Sequence, residues 1–259
     1  MDHYADRFIE GIRAEVLDSA AVNHPYLIAL NTGEFPDVQW ALQDFAFQYG
    51  LYNARFTHYV SAVIDNLRDP AHKQIMLANL AEEHGDTEGV DLSAEVMASI
   101  AGLPHASLYQ RFQQALGVDG DYIQKAQRCS ASLIWTRQFE QLCALNEGAG
   151  VGAIGIGTEL IVSRIYAQIL GGLQAHSRLT PRERVFFDLH SQCDDEHAAQ
   201  ILLIARDLAE DANVRQQLEY GARTAIEMRV AFWDAMLERA QSLPAADASL
   251  TTERVNGAN

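Results

Sequence analysis

The stretch FFDLHSQCDDEHAAQ, residues 186–200, sets His190, Asp194 and His197 at spacings of four and three. At about 100° per residue, Asp194 lies about 40° round a helix from His190, and His197 about 20° the other way. All three therefore leave one face over two turns. That face also carries Phe186, Leu189, Cys193, Ile201, Ile204 and Leu208, whereas Asp188, Asp195 and Glu196 point elsewhere. Polar groups of this kind are costly to bury alone inside an apolar stripe. One divalent cation would satisfy all three. A mixed nitrogen and oxygen set without thiolate suits ferrous iron or manganese better than a structural zinc. Histidines satisfied separately in the core would account for the same residues without a metal.

Two other segments carry acids in apolar surroundings. GAGVGAIGIGTELIVSRIYAQILGGLQAHS, residues 148–177, is hydrophobic on every side, as expected of a helix at the centre of a fold. Its formal charges, Glu159 and Arg164, are five apart and about 140° round the helix, too far to pair with each other. Glu159 then needs a positive partner from another helix. Gly152, Gly155 and Gly157 weaken a helix and are explained by close approach of its neighbours. In LANLAEEHGDTEGVD, residues 77–91, Glu83 shares a stripe with Met76 and Leu80 and faces inward, with Glu82 facing out. Asp86 follows three residues later, the spacing at which two ligands share one metal. His84 and Asp91 lie on another face, the glycines leave the regularity of the helix open, and a surface charge run is the plainer alternative.

Helices must position these groups, because period-3.6 patterning dominates and no alternating strand is evident. The spacing predicts a helix over 4–19 and a short one ending at Gly33. A long aromatic helix follows from Pro36 to Leu67, then one opened by Asp69-Pro70. A short piece leads into helices over 120–146 and 150–174. A capping box, Thr180 with Glu183, opens the helix of His190, and a last helix spans 212–241. The reading is a single all-α domain of about seven or eight helices over residues 1–242, with a small polar tail, 243–259, expected to be disordered.

Composition removes several function classes. With 19 Lys and Arg against 35 Asp and Glu, the formal charge is −16, which repels a phosphate backbone and an anionic bilayer. Neither nucleic acid nor membrane is expected as a partner. Cys129, Cys143 and Cys193 form no CxxC pair and no even set, which argues against a disulfide scaffold. The first twenty residues lack the pattern of a secretory leader, and the chain is expected to be cytoplasmic.

Three inward sites from three helices resemble the haem-oxygenase-like dimetal oxidases, over about residues 36–210. LHSQCDDEH matches the family's His-x3-Asp-x2-His helix, GTELIVSRIY its central helix with a metal-binding glutamate, and NLAEEHG the earlier glutamate helix. The earlier helix departs from the pattern. Where members place a histidine three, seven or ten positions after the glutamate, this chain has Asp86, Val90 and Ser93.

The resemblance implies that Glu83, Glu159, His190, Asp194 and His197 bind two Fe(II) ions, with manganese an alternative, and that either Asp86 takes the place of the usual histidine or His84 swings in where the helix is irregular. Glu83, Glu159 and His190 would then be the catalytic core. It implies an O2-activating non-haem di-iron oxidase or oxygenase acting on a small biosynthetic substrate, an amino acid on family grounds, through desaturation, bond cleavage, bond formation or hydroxylation. A homodimer is expected from the same source. Arg164 is a candidate clamp for a substrate carboxylate, with Tyr49 and Tyr52 candidates for the pocket wall, although a core role also accounts for them. The same fold hosts metal-free enzymes, thiaminase and the cofactorless oxidase that completes a quinone cofactor among them, and binding proteins remain a third class.

Overall fold

The apolar stretch 148–177 lies at the centre of the molecule as one continuous run, Glu147–His176, and 67% of its most apolar window is buried by other helices. By length and composition alone this run could cross a membrane; burial inside the fold is what its apolarity serves here. It is not a uniform α-helix. A short α-turn, Glu147–Val151, passes into a π-helical segment, Gly152–Glu159, and then into an α-helix, Leu160–His176. The glycines allow neighbouring helices to come close, as their spacing suggested. A Cβ at Gly152 would strike the carbonyl oxygen of Leu218, and one at Gly155 would strike Cγ2 of Ile201. The helices Ala212–Gln241 and Pro181–Leu208 are thereby packed backbone-close against the π segment.

The computed structural model describes residues 3–86, 93–100 and 102–242, with side chains throughout except those of residues 3 and 192–196. Among the described residues there is no strand, and the buried apolar side chains form one core. The helix count exceeds the expected seven or eight because several predicted helices are broken. The aromatic helix divides into Val38–Asn53 and Phe56–Asn66. No proline or glycine marks the break, and Arg55, which sits in it, is paired with Glu140 at 2.7 Å. The helix expected over 120–146 is likewise divided, into Gly120–Lys125 and Ser130–Cys143.

Other boundaries follow local chemistry. Asp69 caps the helix Pro70–Glu83, its carboxylate accepting from the Ala71 amide at 2.7 Å. Thr180 and Glu183 form the capping box that opens Pro181–Leu208. The Pro70–Glu83 helix stops at Glu83, and Gly85 then takes φ 96°, a left-handed turn suited to glycine.

Candidate metal centre

Four segments bring ligand-type side chains to one place. The Pro70–Glu83 helix buries His72, Met76, Asn79 and Glu83, so Glu83 reaches the interior at its last residue, 6% exposed. The helix His105–Ala115 starts directly after Pro104 and buries His105, Leu108, Tyr109 and Phe112. His190 and His197 come from Pro181–Leu208, and Glu159 from the end of the π segment. A π turn widens a helix locally and is a frequent mark of functional positions. Here it ends on the one buried acid of the central run.

Glu83, His105 and His190 form a buried triangle in which one donor atom from each lies within 4.8 Å of the others. Glu83 Oε1 is 3.1 Å from His105 Nδ1 and 4.0 Å from His190 Nε2. The two imidazoles meet edge to face, centroids 4.8 Å apart. His190 Nδ1 lies 2.6 Å from the Phe186 carbonyl, an acceptor only, so Nδ1 carries the proton and Nε2 turns a lone pair toward Glu83. Metal-binding histidines are oriented in this way. His105 Nδ1 is buried with no aligned hydrogen-bond partner. An imidazole nitrogen facing a carboxylate, a second imidazole oriented by a carbonyl and the carboxylate itself fit a divalent ion that takes nitrogen and oxygen ligands.

A second group adjoins the first. His197 Nε2 lies 2.6 Å from Glu82 Oε2. Glu159, 4% exposed, lies within electrostatic reach of His197, Glu83 and His105. Burial opposes ionisation of Glu83, but His105, His190 and His197 around it hold its pKa down to about 2. Burial, together with the neighbouring His105, pushes His190 down to about 3. Burial also disfavours a charged His197, yet its hydrogen bond to Glu82 and the nearby Glu159 raise it to about 9. Glu159 is pushed up by burial, to about 7, against the pull of His197. A cation would displace protons from Glu159 and His197 in the second group, whereas in the first Glu83 is already ionised and His190 already neutral.

Of the residues singled out from the sequence, Glu83, Glu159 and His190 line one cavity together with Tyr49, Tyr52, Phe56, Thr158, Val162 and Tyr166. His197 is buried beside it. The side chain of Asp194 lies outside the described residues. Asp86 does not join the cluster: the helix has already ended, and beyond Gly85 the residue is exposed. The three-residue spacing from Glu83 therefore has no helical meaning. Arg164 is exposed rather than buried, so it clamps nothing in this cavity. Glu82 was expected to face out and instead reaches His197.

Two interior residues escaped the sequence reading. His105 supplies the nitrogen that the 77–91 segment lacks, and it shares a stripe with Leu108, Tyr109 and Phe112 at three- and four-residue steps. Arg229, 1% exposed, is the buried cation that Arg164 was taken to be. It too sits in an apolar stripe, with Ala222, Ala225, Phe232 and Met236.

Residues 43–230 match the family described as iron-containing redox enzyme. A protein named 4-aminobenzoate synthase from Chlamydia muridarum is 23% identical over 235 residues, covering 90% of this chain and 91% of its own length. A CADD-like protein from Nostoc punctiforme superposes with a TM-score of 0.73 at 14% identity, covering 93% of this chain and all of that one. A domain from Shewanella denitrificans described as having a heme oxygenase-like fold superposes at 0.66, with 13% identity and 90% of each chain covered. With the haem-oxygenase-like fold and a buried carboxylate–imidazole cluster in place, the chain belongs to the family of iron-containing redox enzymes.

Proposed function

We propose that this chain is a di-iron, O2-dependent oxidase acting on a small molecule in a biosynthetic pathway. The observation that carries the reading is the buried Glu83–His105–His190 triangle, with His190 oriented by the Phe186 carbonyl. These three residues would hold one ion. Glu159 and His197, with Glu82 beside them, would hold a second. Bound there, ferrous iron supplies the electrons for reducing dioxygen, chemistry that side chains alone do not offer.

The remaining work falls to the chain itself. Tyr49, Tyr52, Phe56, Val162 and Tyr166 wall the cavity next to the cluster and exclude bulk water from it. The Tyr49 and Tyr166 hydroxyls are hydrogen-bonded to each other at 2.9 Å, which fixes both rings. His190 needs no proton released before it binds an ion. In the second group, Glu159 must give up its proton, and the Glu82–His197 hydrogen bond must open. The second ion is therefore the weaker and more pH-dependent of the two. The relatives named 4-aminobenzoate synthase support a biosynthetic role.

Anaerobic titration with Fe(II), with iron counted after desalting and oxygen uptake followed on adding air, tests the proposal. Two ions per chain, one lost in His105→Ala and one in Glu159→Ala, with oxygen uptake abolished in both, is the expected result. Iron content unchanged in both variants would sink it.

A further inference from the structure

Among the residues that line the cavity beside the cluster, Asn53 and Phe56 alone are partly exposed, and the others are buried. The free space they enclose is about 20 Å³, room for about one water. A substrate of several heavy atoms therefore enters only if part of this wall moves. Three of its rings are held. Tyr49 and Tyr166 are joined through their hydroxyls at 2.9 Å, and Tyr52 stacks on Trp135 with centroids 4.0 Å apart. Phe56 is tied more loosely. Its ring neighbours, Tyr52 at 6.3 Å and Tyr59 at 6.5 Å, stand four residues before it and three after it in the same run of chain.

Asn53 ends one helix and Phe56 begins the next. The ladder of four-residue bonds runs out with the Ala54 amide on the Gly50 carbonyl and resumes with the Tyr59 amide on the Arg55 carbonyl. Between them the Arg55 amide makes a tighter, three-residue bond to Tyr52. Neither proline nor glycine sets this joint, so its angle depends on what the side chains hold. The Arg55 guanidinium meets Glu140 at 2.7 Å, on the helix Ser130–Cys143 that also carries Trp135. Both members of the pair are 41% exposed, so it is a tie that water and salt loosen. Residues at the ends of elements are also where chains absorb the dihedral changes of opening and closing. Resting on the metal-centre reading above, we propose that this joint is the entrance to the cavity. Phe56 decides what size of molecule reaches Glu83, Glu159 and His190, and the Arg55–Glu140 pair holds the entrance shut.

Val162, a buried member of the wall, supplies the reporter. In Val162→Cys the introduced thiol reacts with an alkyl methanethiosulfonate only while the cavity is open, and peptide mass spectrometry separates it from the native cysteines. Cys143, 0% exposed, reports global unfolding in the same sample. The metal-free full chain is labelled with a methyl and with a benzyl reagent, in Val162→Cys alone and combined with Phe56→Ala, Phe56→Trp or Arg55→Gln. Phe56→Ala should speed labelling about tenfold or more, with the larger gain for the benzyl reagent. Phe56→Trp should slow the benzyl reagent. Arg55→Gln should speed both reagents by up to about fivefold. High salt should speed the parent but not Arg55→Gln, because only the parent has an ion pair to screen. Cys143 should react at the parent rate throughout. Should Phe56→Ala fail to fold, Arg55→Gln and the salt effect carry the same test. A labelling rate at position 162 that is unchanged in Phe56→Ala and Arg55→Gln, or that rises only in proportion to Cys143, would overturn the proposal. Iron is counted in parallel on wild type. A chain that binds iron but labels independently of Phe56 and Arg55 loses the entrance and keeps the metal centre. Labelling that depends on both residues in a chain that binds no iron removes the metal centre and keeps the entrance.

Discussion

The helix Pro181–Leu208 and the segment from Glu82 to His105 each give ligand-type side chains to the same cluster, by different means. The first is regular over 28 residues, so His190 and His197 hold their spacing on one face and arrive together. The second contributes from the last two residues of one helix and the first residue of another, with a left-handed turn at Gly85 after the first helix ends. Where the backbone repeats, side-chain direction follows from residue number. Where a helix stops, direction is set by the turn and by what the next helix packs against. Glu82 and Glu83 sit in the last turn and both reach histidines, to His197 and His105 respectively. Consecutive residues leave a helix about 100° apart, so the two carboxylates reach different partners.

The sharpest way to break this contrast is to remove the anchor on the regular helix. His190→Ala deletes the imidazole between the Phe186 carbonyl and Glu83 and should abolish iron binding at the triangle, a loss of two or more orders of magnitude in affinity for one ligand in a small set. Iron counted after anaerobic loading is the measurement. Retention of full stoichiometry would mean the triangle is not the metal site.

The ragged segment makes its own prediction, somewhat smaller because His105 comes from a separate helix and shares the work with Glu83. His105→Ala should lower iron content by about one ion and weaken what remains, about tenfold or more. If His105 is a packing residue instead, the variant should melt earlier but load normally, so melting temperature and iron content are read together.

Most of the fold and about half of the centre were legible from the sequence, for reasons tied to particular residues. The all-α architecture, the central apolar run and the caps at Asp69 and Thr180 follow from periodicity and turn chemistry. His190, His197, Glu83 and Glu159 were visible because each interrupts an apolar stripe. The same rule would have found His105 and Arg229, since both lie in step with buried neighbours. His105 was overlooked because it opens its helix directly after Pro104, before the stripe has shown itself, and Arg229 because a long last helix drew no attention as a source of site residues. The π segment had no comparable signal: its glycines announced close packing, not a wider turn. Asp86 misled because a helical spacing was carried past the end of its helix, and Arg164 because the central helix was taken to be buried on every side.

The two groups also differ in how acid and alkali should act on the metal-free chain. Glu83, ordinarily near 4.5 and held at about 2, stabilises the fold above pH 4.5 and loses that contribution as pH falls toward 2. His190, ordinarily near 6.5 and lowered to about 3, favours unfolding as pH drops below 6.5, because the unfolded chain takes up the proton first. In the other group, His197, raised to about 9, stabilises fully below 6.5 and loses this as pH rises through 9. Glu159, raised to about 7, likewise favours the fold at low pH and loses that as pH rises from 4.5 through 7. Between 4.5 and 6.5 His190 and Glu159 oppose each other, so stability should be flat there and decline on both sides. Iron should reverse the alkaline arm, because the ion needs Glu159 ionised and His197 neutral. Thermal denaturation across pH, with chelator and with anaerobic Fe(II), reads both. A metal-free chain that gains stability steadily from pH 4.5 to 9 would contradict this assignment.

The smallest expected effects belong to the two residues that sequence spacing nominated and the structure leaves on the surface. Asp86→Asn removes a charge from an exposed position beyond the helix end, and Arg164→Ala removes one from the outer face of the central helix. Neither lines the cavity. Iron content should therefore match wild type within error in both. If Asp86→Asn instead released iron, the segment after Glu83 would have to fold inward once metal is bound, and Asp86 would take back the role that His105 fills here. That result would reverse the contrast between the two regions, because residue spacing would then have been the better guide beyond the end of a helix.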